Sequence, residues 1–388
     1  MKKILFVIGQ LRVGGVAKAL VELLKSIDGI YDVSLLCFDQ KGSFFEEVPK
    51  SVHILPTSGM LELSENSASA MKSRGTKYYL VRNVLSVLTK GGCKPLAAKL
   101  WTRMAGKVPG EYDLAISYTH PMPKKMFCNM GGELVLDRVN AKKKAVFVHC
   151  DYASYGGDCS YNRKLLRQFD AVAGVSRSVG ERVASVIPEL RGKICVVRNC
   201  HAYEDIRRMA ESDPVSYSHD MTFVSVARLS EEKGFFRCMD TFAKLHQEGY
   251  DVGWHIVGGG PLQKALEEKI KELSAEDYVI LEGEQVNSPR YMKNADWLLV
   301  SSFHEAAPMV FDEALTVKTA VLSTRTLSAD EMVTERGIGV VCDNTDEALQ
   351  NAIEEIVRAG RHGVEDESVF VASNEEAVLG FKTLCEDT

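Results

Sequence analysis

Short apolar runs recur along the chain, separated by stretches in which apolar residues return every three or four positions. Ile4–Ile8 is the first such run. A glycine-containing loop, a helical pattern from about Val16 to Ile27 and a second run at Val33–Phe38 complete a β-α-β start. Further strands are expected in this half at Val52–Leu55, Leu114–Ser117, Ala145–Val148, Ala171–Val175 and Cys195–Arg198. The second half is more regular. Its strands are expected at Thr222–Arg228, Trp254–Val257, Tyr278–Glu282, Trp297–Val300, Ala320–Ser323 and Gly339–Cys342. Helical patterns lie between and after them, at about 235–248, 261–273, 288–294, 308–318, 328–335 and 345–359. Six alternating units imply an open parallel sheet with helices on both faces. The polar stretch from about Asn199 to Asp220 reads as a linker. The expected class is α/β: two doubly wound domains, residues 1–200 and 201–373, facing each other across a cleft.

The charge pattern singles out one segment. Residues 71–110 carry nine Lys or Arg and no Asp or Glu, in a chain whose formal net charge is −6. Tyr78, Tyr79, Leu80, Val84, Val87 and Leu88 interleave with these cations, and Leu96, Leu100, Trp101 and Met104 form a second stripe at helical spacing. Basic amphipathic helices of this kind suit an anionic membrane surface. Ordinary helices packing their apolar faces on a domain are the plainer account of the same spacing.

Composition narrows the rest. The acidic balance argues against a general nucleic-acid binder. The ten cysteines show no C-x-x-C pair, which speaks against a zinc or redox motif and for a reducing, cytoplasmic setting. Met1–Ile8 is too short an apolar run for a leader, and no run approaches the ~18 apolar residues of a spanning helix.

Five places bear chemistry. After Trp297–Val300, Pro308 stands where a helix should begin, its missing N–H costing nothing at a first helical position. The N–H groups near Met309 and Val310 would then be unpaired at a strand's carboxyl end and would favour a diphosphate. Glu305 before that helix and Glu313 within it put two carboxylates near one crevice, although glutamates at this spacing are common on solvated helices. Arg228 and Lys233 follow the first strand of the second half, where two cations can offset developing pyrophosphate charge. Gly14-Gly15 and Gly258-Gly259-Gly260-Pro261 end strands and let a ligand approach the backbone, or simply make tight turns. His149, favoured over Asp151, ends a strand of the first half. No Asp-x-Asp occurs, so a metal–diphosphate site is not supported.

Glu305…Glu313, Arg228…Glu232-Lys233-Gly234, Gly14-Gly15, the glycine run from Gly258 and the setting of His149 together resemble the GT4 family. These are retaining, group 1 type glycosyltransferases of GT-B fold, such as those of bacterial capsule and O-antigen synthesis. The resemblance implies two Rossmann-like domains, the first taking the acceptor and the second the donor, with the final helix, residues 374–388, crossing back to the first. It implies His149, Glu305, Arg228 and Lys233 as catalytic residues. Gly14, Gly15, Gly258, Gln285, Val286, Pro308, Met309, Val310 and Glu313 would bind the donor, with Gln285 and Val286 near the nucleobase. The implied reaction moves a hexose or N-acetylhexosamine from a nucleotide diphosphate sugar, UDP by default, to a glycan or lipid-linked glycan. It needs no cofactor or metal, and it would run in the cytoplasm at the inner membrane face. The chain departs from the family at Ala306-Ala307, where many members have Gly-Phe. That departure keeps open a non-catalytic partner subunit of a transferase. A sugar-nucleotide epimerase of the same fold is the other alternative.

Overall fold

The computed structural model describes residues 1–12 and 14–386, which form two compact units. The first comprises Met1–His201 together with the chain from Asn374, and the second is Ala202–Ser373.

The first unit is built on seven parallel strands: β1 (Lys3–Gln10), β2 (Asp32–Asp39), β3 (His53–Ile54), β4 (Glu111–Ser117), β5 (Asn140–Val148), β6 (Ala171–Gly174) and β7 (Ile194–Val196). Their order across the sheet is β3-β2-β1-β4-β5-β6-β7. Strands covered by helices on both faces show unbroken apolar runs rather than alternation. That is why Ile4–Ile8 and Ala145–Val148 are buried at every position. The closing helix, Glu375–Glu386, packs here: Phe381 stacks on Phe6 at 5.6 Å. Lys2 and Lys143 donate to the carbonyls of Cys385 and Leu384. Two cations thus meet the carbonyls and the negative dipole end of a helix terminus.

The basic segment folds into three helices, Ala68–Arg74, Thr76–Lys90 and Lys94–Ala105, broken at Gly75, whose φ is 137°. Trp101 anchors the last of them, donating to the Met60 carbonyl at 2.7 Å and meeting Phe38 edge-on. Among the described residues, no helix is long and apolar enough to cross a membrane.

The second unit has six parallel strands: β8 (Met221–Val226), β9 (Val252–Val257), β10 (Val279–Gly283), β11 (Trp297–Val300), β12 (Ala320–Thr324) and β13 (Gly339–Cys342). Their order is β10-β9-β8-β11-β12-β13. Trp254 stacks on Phe242 at 5.0 Å and donates to Ser225, which itself donates to the Leu299 carbonyl, so these two buried side chains are paired.

Three expectations need correction. The supposed linker contains a helix, Tyr203–Ser212, whose Ile206 and Ala210 are buried against the second unit's core. Two inward positions in a charged stretch are too few to show as a periodic pattern. Strand β8 stops at Val226, so Arg228 lies in the exit loop rather than on the strand. The expected helix at 328–335 is a π-helical turn over Asp330–Thr334.

Candidate functional site in the second unit, with His149 in the first

In the second unit the chain runs outward from β8 to β10 on one side and from β11 to β13 on the other. The order therefore reverses between β8 and β11. In open α/β sheets, ligands sit beyond the strand carboxyl ends at such a point. The two charged motifs leave the sheet from these two strands.

Their exit loops are tied together by the backbone. Phe303 N–H donates to the Glu232 carbonyl at 2.8 Å, and Ser301 Oγ donates to the Lys233 carbonyl at 2.8 Å. Arg237 donates to the Ser301 carbonyl at 2.9 Å and to Asn344 and Asp346, with its guanidinium 4.4 Å from the Phe303 ring centre. Gly234 has φ 67°, and a Cβ there would meet the Ser301 carbonyl oxygen at 2.4 Å. Only glycine permits both the conformation and the approach.

This zipper sets Lys233 Nζ on Glu305 Oε1, to which Ser302 Oγ also donates at 2.9 Å. Glu305's own backbone is pinned where Leu327 N–H donates to its carbonyl. Arg228 is exposed and forms no ion pair among the described residues. Glu232 is held below the usual carboxylate range, first by the Ser230 hydroxyl and then by the Lys233 and Arg228 charges.

Pro308 is extended, with ψ 128°, and stands just outside the helix Met309–Val317 instead of at its first position. Its carbonyl receives the Phe311 N–H. The Met309 and Val310 N–H groups make no backbone hydrogen bond among the described residues, so they carry the positive end of the helix dipole. Glu313 is half-buried one turn into this helix, while its neighbour Asp312 faces inward to Arg336 and Tyr203. Gly258 serves the packing of the β8 and β9 exits, since a Cβ there would lie 1.9 Å from the Ala227 carbonyl oxygen. Gln285 and Val286 leave the edge strand β10. Gln285 donates to the Glu282 carbonyl at 2.7 Å, and Val286 is 97% exposed.

In the first unit, Gly14 has φ 115° before the helix Gly15–Ser26, and its carbonyl receives the Lys18 N–H. His149 follows β5, and its Nε2 lies 3.0 Å from the Tyr118 carbonyl. A carbonyl only accepts, so Nε2 carries the proton and Nδ1 keeps its lone pair. Burial, then the neighbouring His120, pulls the His149 pKa down to about 3 against the Tyr118 hydrogen bond. Burial alone pulls His120 to about 4. Asp151 is occupied in a turn, accepting from Ala153 N–H and Ser154 Oγ.

Residues 209–366 match the family described as glycosyl transferases group 1. The chain carries a group 1 glycosyl transferase domain. A putative colanic acid biosynthesis glycosyltransferase of Salmonella typhimurium is 25% identical over 186 residues, 46% of this chain and 45% of the relative. An N-acetyl-alpha-D-glucosaminyl L-malate synthase of Bacillus anthracis is 23% identical over 310 residues, 76% of this chain and 80% of the relative. Elsewhere the chain spans less than half the length of the curated relatives it matches. A crystal structure of Anabaena HepE in complex with UDP is 16% identical, with a TM-score of 0.63 over 100% of this chain and 99% of that one. The fold of the whole chain is thus GT-B, with two Rossmann-like α/β domains.

Within the group 1 domain, the structure brings Arg228, Lys233, Glu305 and the start of the helix from Met309 to one pair of strand ends. Gln285 and Val286 leave β10, two strands away from β8. Gly14, Gly15 and His149 belong to the other unit. Ser302 and Arg237 are positioning residues that sequence reasoning passed over. Ser302 stood inside the Glu305 motif with no role, and Arg237 gave no signal beyond lying three residues after Gly234.

Proposed function

We propose that the chain transfers a hexose or N-acetylhexosamine from a nucleotide diphosphate sugar to a hydroxyl of a glycan or lipid-linked glycan in cell-surface polysaccharide synthesis. The observation that carries this reading is the Lys233–Glu305 pair at the β8/β11 reversal, beside the unpaired N–H groups of Met309 and Val310. The Anabaena neighbour's UDP and the Salmonella relative's role in colanic acid synthesis support it. Arg228, Lys233 and the helix start would hold the diphosphate, Glu305 the sugar and Glu313 the ribose. Gln285 and Val286 would meet the base, with Gly258 in the loop between. Gly14, Gly15 and His149 would act from the first unit, which takes the acceptor. The acceptor oxygen attacks the anomeric carbon as its bond to phosphate breaks. The acceptor's proton passes to the departing phosphate oxygen on the same face, so configuration is retained. Charge on the leaving diphosphate is what the site stabilises, and no metal or cofactor is called for. Residues 71–110 would bring the chain to an anionic membrane surface at the inner face, where lipid-linked acceptors are found.

Thermal unfolding against UDP-, GDP-, ADP- and dTDP-sugars tests the donor site, because a ligand of the native state raises the melting temperature. One nucleotide stabilising the native chain but not Lys233→Ala or Glu313→Ala is expected. No shift from any of them would favour a non-catalytic subunit instead.

A further inference from the structure

We propose that the helices Thr76–Lys90 and Lys94–Ala105 form a two-helix docking face for an anionic phospholipid bilayer, with apolar stripes entering the lipid between cations that contact its phosphates. This deepens the membrane contact proposed above by naming the surface, and it rests on exposure and charge rather than on sugar transfer.

Each helix has two apolar faces where a domain helix needs one. Leu85 and Thr89 of the first, and Ala97, Ala98, Trp101 and Thr102 of the second, are buried. Yet Leu80, Val84 and Val87, with Leu96, Leu100 and Met104, are between 38% and 68% exposed. At 3.6 residues per turn the first three fall within an arc of about 60° and the second three within about 80°. The first arc is centred about 150° from its helix's buried side chains and the second about 130° from its own, so both stripes turn away from the unit. Apolar residues exposed singly need no explanation, but two aligned stripes on helices that pack against each other do.

The charge says what covers them. The structure divides the nine cations into two groups. Lys94 is buried and donates to the Met122 carbonyl, Arg82 donates to the carbonyls of Asn66 and Phe127, and Arg74 pairs with Glu62. Lys72, Lys77, Lys90, Lys99, Arg103 and Lys107 are exposed, and none forms an ion pair among the described residues. On the helical wheel Lys77 and Lys90 flank the first stripe, and Arg103 borders the second beside Leu96. A protein partner's rim would mix signs, whereas a one-signed cationic border around aliphatic side chains fits a surface of phosphates over hydrocarbon.

The test is flotation of the full chain with phosphatidylglycerol-containing vesicles and with pure phosphatidylcholine vesicles, with no donor or acceptor present. A failed donor site therefore leaves the result untouched. The native chain is expected to float with the anionic vesicles at low salt and to lose most binding at about 0.5 M salt. Lys77→Gln, Lys99→Gln and Arg103→Gln should each weaken partitioning about five-fold. The double variant Val84→Glu/Leu100→Glu should stay unbound at any salt while its circular dichroism melt is unchanged, because both side chains are exposed. No flotation of the native chain with anionic vesicles at low salt would overturn the proposal, as would unaltered flotation of the double variant. Light scattering provides a third arm. A dimer that the double variant dissolves would assign the face to a second copy and also overturn it.

Discussion

Lys233 donates to the same Glu305 carboxylate oxygen that receives the Ser302 hydroxyl, across the exits of neighbouring strands β8 and β11. In the proposed reaction this lysine turns from a carboxylate to a diphosphate when the donor arrives, so the pair competes with the nucleotide for its own cation. Replacing either partner should then have opposite effects on binding. Glu305→Gln frees Lys233, so UDP affinity is expected to hold or rise while kcat falls about 10²- to 10³-fold. Lys233→Ala should lose both. Calorimetry of UDP binding beside steady-state kinetics separates the two. A parallel loss of affinity in both variants would mean that the pair only braces the loops.

Two glycines of the proposed donor site, both at positive φ, should respond to alanine to different degrees because only Gly258 also meets a backbone clash. At Gly258 a Cβ would sit 1.9 Å from the Ala227 carbonyl oxygen, so the β8 and β9 exits must separate. The expected cost is about 3 kcal/mol, in the range of a backbone clash. At Gly14 nothing lies within 4 Å of a Cβ, but φ is 115°. That is nearly a glycine-only region, and the expected cost is about 2 kcal/mol of strain alone. Urea unfolding of the two variants checks the ranking. Equal costs would show that one of the loops relaxes.

The strands were legible because parallel strands buried on both faces are written as unbroken apolar runs, from Ile4–Ile8 to Trp297–Val300. The helix Tyr203–Ser212 was not, because Ile206 and Ala210 are its only buried side chains. Arg228, Lys233 and Glu305 could be named from their places after strands. The meeting of Lys233 with Glu305 spans 72 positions and depends on β8 and β11 being neighbours, an order that local patterns do not encode. In the same way, the charge run at 71–110 does not reveal that Lys94 turns inward, because the carbonyl that receives it belongs to Met122, far along the chain.

Acid should destabilise the first unit through its paired imidazoles. Burial lowers His149 to about 3 and His120 to about 4, from an ordinary 6.5. A group whose folded pKa is depressed contributes stability above its unfolded pKa and loses it as pH falls towards the folded one. The unfolded chain takes up protons first, so the melting temperature should decline from about pH 6.5 down to about pH 4. His149→Gln removes one of these groups and should make the decline shallower. Scanning calorimetry of both proteins over that window decides it. Parallel curves would mean that solvent reaches the ring.

Asp312 tests how firmly the helix Met309–Val317 is held. Its side chain is 6% exposed, and its Oδ1 accepts from Arg336 at 2.8 Å and from the Tyr203 hydroxyl at 3.3 Å. It thus ties the helix Met309–Val317 to the helix Tyr203–Ser212 and to the turn before β13. Removing one partner of a buried pair leaves the other uncompensated, which costs about 3–5 kcal/mol at full burial. Arg336 is 24% exposed and can rehydrate in part, so Asp312→Ala is expected to cost about 2 kcal/mol. Asp312→Asn keeps an acceptor for Tyr203 and should cost less. Because the loss is local, limited proteolysis should cut Asp312→Ala within 203–212 before the rest of the unit opens. Tyr203→Phe, which keeps the Arg336–Asp312 pair, should leave that site protected. If it is cut as fast as Asp312→Ala, the tyrosine and not the ion pair holds the helix.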